Sequence, residues 1–204
     1  MAAKPATLPM AIERRKDWGA PGQLEPSAPS AKDDASIARL VSAGAGEVRP
    51  LAGDMARTLG VSEQSLLRPE QMRLPVDLIR VRLDKGAETL AAAHVRLGAS
   101  RTRPSVAIMN AAFIGSRNVA PRAHPGDGKL DVLRFDLGLI DWFKALRRMP
   151  TGTHLPHPAI ATSRVESLVL EQDRALRVWI DGGTPTSARR IECTVWSDAV
   201  VLGV

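Results

Sequence analysis

The side chains of this 204-residue chain with the clearest potential for chemistry are four histidines, a single cysteine and a set of paired arginines. His154 and His157 stand three apart, a spacing that holds a transition metal when both lie on one helical face. Pro156 and Pro158 exclude a regular helix there, and no third ligand follows nearby, so the pair reads as a turn histidine and a surface histidine. Ser-His-Asp hydrolysis would need a nucleophile elbow, and no Gly-x-Ser-x-Gly occurs. His94 sits in an apolar run and reads as an ordinary half-buried residue. Cys193, being alone, excludes an internal disulfide and reads as a small core residue. The arginine pairs Arg101/Arg103, Arg117/Arg122, Arg147/Arg148 and Arg189/Arg190 contribute to a formal charge of +6. They can gather into an anion-attracting face, but the pattern favours a scattered, solvated surface. Aromatic residues are few and not interleaved with the basic ones, so no nucleic-acid partner is expected.

The elements that must position these groups are short. Hydrophobic content of 44% and charged content of 25% suit a soluble globular protein of one compact or two small domains. No run matches a membrane span or a secretory signal, so the expected location is cytoplasmic, with a peripheral position at a membrane as the second reading. Thr7 to Arg15 reads as a strand and Gly19 to Pro29 as a loop. Asp33 or Asp34 can cap a helix running through Ser42, with Gly44 as its stop. Glu47 to Leu51 reads as a strand, followed by an Asp54 cap, a short helix and a Gly60 stop. Strands are then expected over Leu74 to Leu83, Thr89 to Leu97, Ser105 to Phe113 and Leu130 to Phe135. Leu137 to Met149 reads as a helix, with Leu139, Trp142, Phe143 and Leu146 opposite Asp141, Lys144, Arg147 and Arg148. Arg164 to Leu170, Leu176 to Ile180, Arg190 to Val195 and Ala199 to Val204 complete the strands. The series predicts an α+β fold, mainly β, with antiparallel sheets packed as a sandwich.

Five segments carry a resemblance. They are Pro50-Leu-Ala-Gly-Asp-Met-Ala-Arg-Thr-Leu-Gly60, Leu74-Pro-Val-Asp-Leu-Ile-Arg-Val81, Asn110 to Val132, Thr151-Gly-Thr-His154 with Pro158, and Trp179-Ile-Asp-Gly-Gly183. In this order they resemble the C-terminal half of the diacylglycerol kinase catalytic family, which includes the sphingosine kinases and belongs to the NAD-kinase-like superfamily. The resemblance covers about residues 50 to 204. It implies a lipid-kinase-like β-sandwich over residues 71–204 and a truncated Rossmann-like portion over residues 1–70, irregular at 19–36. Gly53, Asp54 and Arg57 match the family's nucleotide-side loop and helix, with Gly53 where the family has asparagine. Asp127 and the Lys129 carbonyl match the metal loop of its bacterial members, but His124 replaces an earlier aspartate. That exchange disfavours magnesium, which prefers oxygen ligands.

Two further departures bear on activity. The family's Gly-Gly-Asp-Gly-Thr phosphate loop occurs nowhere in the chain; Gly44-Ala-Gly46 follows a helix instead of opening one. The resemblance also places the family's catalytic glutamate at Gly183, which has no side chain to act as a base. Asp181 and Glu192 are the nearest carboxylates in sequence. The leading expectation is therefore a catalytically degenerate lipid-kinase relative that binds a ligand, a lipid surface or a protein. A second is an active ATP- and Mg2+-dependent kinase completed by a partner chain or a second copy. A third is a structural or assembly module. No cofactor is expected outside the second reading. Trp142, Phe143, Arg147 and Arg148 are the candidates for a surface facing anionic lipid.

Overall fold

The computed structural model describes residues 18–68 and 70–204, so the strand expected over Thr7 to Arg15 lies outside the described residues. Two short strands, β1 (Ala20–Gly22) and β2 (Ser30–Ala31), come first. The Asp33 carboxylate then accepts the Ser36 amide at 2.7 Å and caps α1 (Asp34–Ser42). Ile37 and Val41 form the buried face of α1. β3 (Glu47–Pro50) follows, then α2 (Asp54–Thr58) and α3 (Glu63–Leu66). Strand β2 pairs in parallel with β3, and β3 with the end of the final strand, so β2–α1–β3 is a strand–helix–strand unit joined to the main sheet.

The rest of the chain builds that sheet. Its elements are β4 (Gln71–Leu83), β5 (Thr89–Ala91), β6 (His94–Gly98), β7 (Val106–Met109), the hairpin β8 (Phe113–Ile114) and β9 (Arg117–Asn118), and β10 (Leu130–Phe135). They continue with α4 (Leu139–Arg148), β11 (Ile160–Val165), β12 (Ser167–Ile180) and β13 (Thr186–Gly203). The strand order is β1-β4-β13-β12-β6-β7-β10-β11, every neighbouring pair being antiparallel apart from those involving β2 and β3. The expected α+β, mainly β fold with an antiparallel sandwich is what forms. No helix among the described residues is long and apolar enough to cross a membrane.

The single strand expected over Thr89 to Leu97 is two strands with different partners. Ala91 pairs with Ile79 on β4, whereas Val95 pairs with Ile180 on β12. The chain therefore switches sides at Ala92–Ala93 and closes the sheet around one core. Ile79, Val95, Ile108, Val132, Leu170 and Ile191 meet there, and Cys193 packs with them, its thiol pushed up to about 12 by burial. At the switch the backbone leaves its ladder, and side chains supply the lost partners. The Asp181 carboxylate accepts the N–H groups of Ala92, Ala93 and His94 at 2.6, 2.9 and 3.0 Å. Asn110 Nδ2 donates to the Ala92 and Asp77 carbonyls.

A second departure is a merger. The two strands expected over Arg190–Val195 and Ala199–Val204 are one long β13, whose register against β4 shifts between Trp196 and Val200. The extra residues of such a bulge need partners outside the ladder. Asp77, 1% exposed, accepts the Asp198 N–H at 2.9 Å and the Gly128 N–H at 2.8 Å. Burial pushes its carboxyl from 3.8 up to about 6, against the pull of those two N–H groups.

A carboxyl raised in the folded state takes up a proton on folding, so its contribution to stability is full below pH 3.8 and is lost as pH rises through about 6. The span corresponds to about 3 kcal/mol. Urea unfolding from pH 4 to pH 7 should show stability falling with pH. In Asp77→Asn that slope should be smaller by up to about one proton's worth, ~1.4 kcal/mol per pH unit. An unchanged slope would contradict the assignment.

Candidate functional site

A cleft of about 430 Å³ opens where the N-terminus of α2, the start of β6, the β8–β9 hairpin and α4 converge. One side carries Asp34, Asp54, His94 and Asp181; Ile114, Phe135, Trp142, Leu146 and Met149 form an apolar wall; and Arg96, Arg101 and Arg117 also line it. A larger groove of about 630 Å³ runs along β10 and β11, but its buried acid Asp131 is engaged by Arg164 at 3.5 Å. The smaller cleft brings more ionisable groups together, three carboxylates, a histidine and three arginines.

The cleft is organised around α2. Asp54 does not cap this helix, as the sequence suggests; Gly53 is the cap residue and provides no side chain. The cap comes from Asp34, at the start of α1. Its oxygens accept the Asp54 N–H at 2.8 Å and the Met55 N–H at 2.9 Å. This explains Gly53: its φ is +116°, and a Cβ there would lie 2.5 Å from Asp34 Oδ1. Burial raises the Asp34 carboxyl to about 6, with Asp181 and Asp54 pushing the same way and the two N–H groups opposing.

Freed from capping, the Asp54 carboxylate bridges two elements. Oδ2 lies 3.0 Å from His94 Nε2, and Oδ1 accepts the Gly115 N–H at 2.6 Å. His94 is buried at the edge of the cleft, with Nδ1 lacking a hydrogen-bond partner. The pair ties the start of β6 to the N-terminus of α2 and to the β8–β9 hairpin. Arg57 is separate from it: exposed on α2, it stacks 5.8 Å from the Phe113 ring centroid.

The turn that follows β12 also differs from a catalytic arrangement. Asp181 and Gly182 have φ of 45° and 73°, and the Gly183 N–H returns to the Ile180 carbonyl at 2.9 Å. That is the mirror-image turn that Asp-Gly favours. Gly183 is exposed, and the Asp181 carboxylate is occupied by three backbone N–H groups. Glu192 lies on β13, bonded to Arg190 at 2.7 Å, and is not among the cleft residues.

The metal-loop residues are committed elsewhere. Asp127 Oδ1 accepts the Lys129 N–H at 3.0 Å, and its other oxygen pairs with Arg164. The Lys129 ammonium pairs with Glu166. The His124 ring packs 4.3 Å from the Trp18 ring, and its Nδ1 accepts the Gly126 N–H at 3.3 Å; burial holds its pKa below the ordinary value. A guanidinium and a packed imidazole do not suit a hard divalent cation, so this loop does not fit magnesium. Elsewhere, the turn residue His154 is buried, with Nε2 3.1 Å from the Val119 carbonyl.

On α4 the lipid-facing expectation needs correction. Trp142 is 6% exposed and turns inward, meeting Phe135 edge-on at 5.4 Å. The apolar residues exposed on this helix are Leu139, Ile140 and Phe143, at 63, 73 and 63%. Arg147 and Arg148 are exposed as expected. The inward stripe is Trp142, Ala145 and Met149, so the helix shows apolar residues on two sides, and apolar spacing alone cannot say which is buried.

Of the cleft residues, Arg96 carried no signal in the sequence, Asp34 and His94 read only as a helix cap and an ordinary half-buried residue, and Arg101 only as one of several arginine pairs. Asp34 and His94 lie 20 and 40 residues from the groups they contact, too far for any local spacing signal. Replacing Asp54 by Ala leaves buried His94 and the Gly115 N–H without their acceptor. Urea titration should show a loss of about 2–3 kcal/mol, with Asp54→Asn losing less.

A family model described as the YegS C-terminal NAD kinase beta sandwich-like domain matches residues 56–195. A search of curated proteins finds no match. Among solved structures, three from Bacillus anthracis str. Sterne, each described as a diacylglycerol kinase or a candidate one, share the fold. The first superposes with a TM-score of 0.62 at 12% identity, covering 85% of this chain and 75% of the other. The second gives 0.56 at 14% identity over 85% and 74%, and the third 0.51 at 13% over 76% and 66%.

Proposed function

From the premise that this chain belongs to the family of the YegS C-terminal NAD kinase beta sandwich-like domain, we propose that it is a lipid-kinase-like protein that binds a ligand in the α2–α4 cleft without transferring phosphate. The observation that carries this reading is the capping of both helix N-termini by the chain's own carboxylates. Phosphate-binding loops lie between a strand and the start of the next helix, where free N–H groups and the helix dipole attract an anion. Here β2–α1 occupies such a place, with Lys32 and Asp33 forming the connection and Asp34 opening the helix. Asp33 caps α1 and Asp34 caps α2. Both positions that would cradle phosphates are filled by fixed negative charge.

The acceptor side supports the same reading. A lipid hydroxyl needs a base, yet Gly183 has no side chain and Asp181 is bound to the backbone. In this reading β2–α1–β3 is the remnant of a nucleotide-binding half. ATP and magnesium are not required for the cleft to hold a ligand. With diacylglycerol and ATP, with or without magnesium, the purified chain should transfer no labelled phosphate above the protein-free background. Turnover abolished by Asp54→Ala would replace this reading with that of an active, reorganised kinase.

A peripheral membrane position has its own support in α4. Leu139, Ile140 and Phe143 are exposed beside Lys144, Arg147 and Arg148, while Trp142 and Leu146 of the same helix line the cleft. A helix of this kind can lie at an anionic interface and bring the cleft to its ligand. Flotation with liposomes rich in phosphatidylserine should recover the protein at low salt and lose it at high salt. Phe143→Ser should reduce recovery several-fold; no flotation of the unmodified chain would remove the membrane reading.

A further inference from the structure

The charges lining the cleft are unevenly matched. Three carboxylates face it, and each is engaged by protein groups: Asp34 by two N–H groups, Asp54 by His94 and the Gly115 N–H, Asp181 by three N–H groups. The guanidinium groups have no such partners. Arg96 is 5% exposed, yet its Nε has no hydrogen-bond partner, and its Nη1 donates only to the Arg101 carbonyl, at 3.0 Å. The Arg101 guanidinium lies close by. The point where a Gly182 Cβ would stand is 3.3 Å from Arg101 Nη2 and 4.0 Å from Arg96 Nη2. Among the described residues Arg96, Arg101 and Arg117 form no ion pair.

Two guanidinium groups converge on an uncovered glycine, one of them buried. Burial and Arg101 disfavour the Arg96 charge, Asp54 and Asp181 offset part of that without pairing with it, and an anion joining the two guanidinium groups would offset more. Both are planar donors suited to phosphate oxygens. The cleft then continues along Phe135, Trp142, Leu146 and Met149, a surface with no use for a free inorganic ion. Its volume of about 430 Å³ suits a small molecule with a polar head and a short apolar body.

We propose that the cleft recognises a phosphomonoester carrying an apolar chain, the phosphate seated over Gly182 between Arg96 and Arg101, and the chain against the α4 wall. Arg117 stands at the exposed edge of the same site. This rests on the reading of the cleft as a ligand site and names what enters it. The phosphate is already part of the ligand when it arrives, so the protein reads a phosphorylated lipid and does not make one.

The test uses the full chain and monomeric dihexanoyl phosphatidate below its micellar concentration, followed by calorimetry and thermal shift. Dihexanoylglycerol and inorganic phosphate are run separately. Phosphatidate should raise the melting temperature in a concentration-dependent way and bind at least about tenfold tighter than either half alone. Arg101→Ala, an exposed position, should weaken phosphatidate about tenfold or more while leaving the ligand-free melting temperature unchanged. Lys144→Ala, outside the cleft, should change neither.

Equal binding of dihexanoylglycerol, or unchanged affinity in Arg101→Ala, would overturn the phosphate assignment while leaving a ligand cleft in place. Equal binding of inorganic phosphate would overturn the apolar half. Failure of all three probes would overturn the cleft as a lipid site altogether. Detection of phosphate transfer from ATP would instead strike the non-catalytic reading, whatever the binding data show.

Discussion

Three amide hydrogens at the Ala92–His94 switch have left their sheet ladder, and the Asp181 carboxylate takes all of them. Much of the architecture follows from that capture. The switch lets one chain segment serve β4 with its first half and β12 with its second, closing the sheet around the core. It aims His94 at Asp54, and Asp54 in turn ties α2 to the β8–β9 hairpin. The geometry of the cleft is thus set by a carboxylate whose partners are backbone amides. Unpaired, those buried N–H groups would each cost on the order of 1–3 kcal/mol.

Asp34 and Asp77 repeat the device at other irregular points. Asp77 holds the β13 bulge against the 126–129 loop, and Asp34 holds α2 against α1. Each is a buried acid accepting two backbone N–H groups, and in each case desolvation raises the carboxyl to about 6. The fold uses aspartates where strands and helices lose their regular partners. Arg164, paired with Asp127, shows the same economy at the loop after Pro125.

Much of the fold was legible in the sequence because it rests on local pattern. Leu130 to Phe135 alternates and forms β10 over those same residues; Asp33 caps α1 as its position before an apolar run suggests. The family resemblance came from turns and glycines with specific backbone roles. What could not be read was long-range. Nothing near Ala92 announces a strand that changes partners, because the group responsible is 89 residues away. On α4, Trp142 and Phe143 are adjacent and equally apolar, and only the packing against Phe135 decides that one turns inward. The arginines looked scattered because Arg96 was unremarkable within its strand; the connection after β6 folds Arg101 back beside it, and the turn at Gly182 lies against both.

The reach of Asp34 to α2 has a consequence in terms of competition. A carboxylate tethered within the same fold acts at a high effective concentration, set by how closely the chain confines it to the N–H groups it caps. A dissolved anion aiming for those same N–H groups must displace it, and the glycine at position 53 keeps the approach close. The chain has in this sense internalised its own counter-ion. The first two amides of α2 are thus matched by a residue carried 20 positions earlier in the same chain.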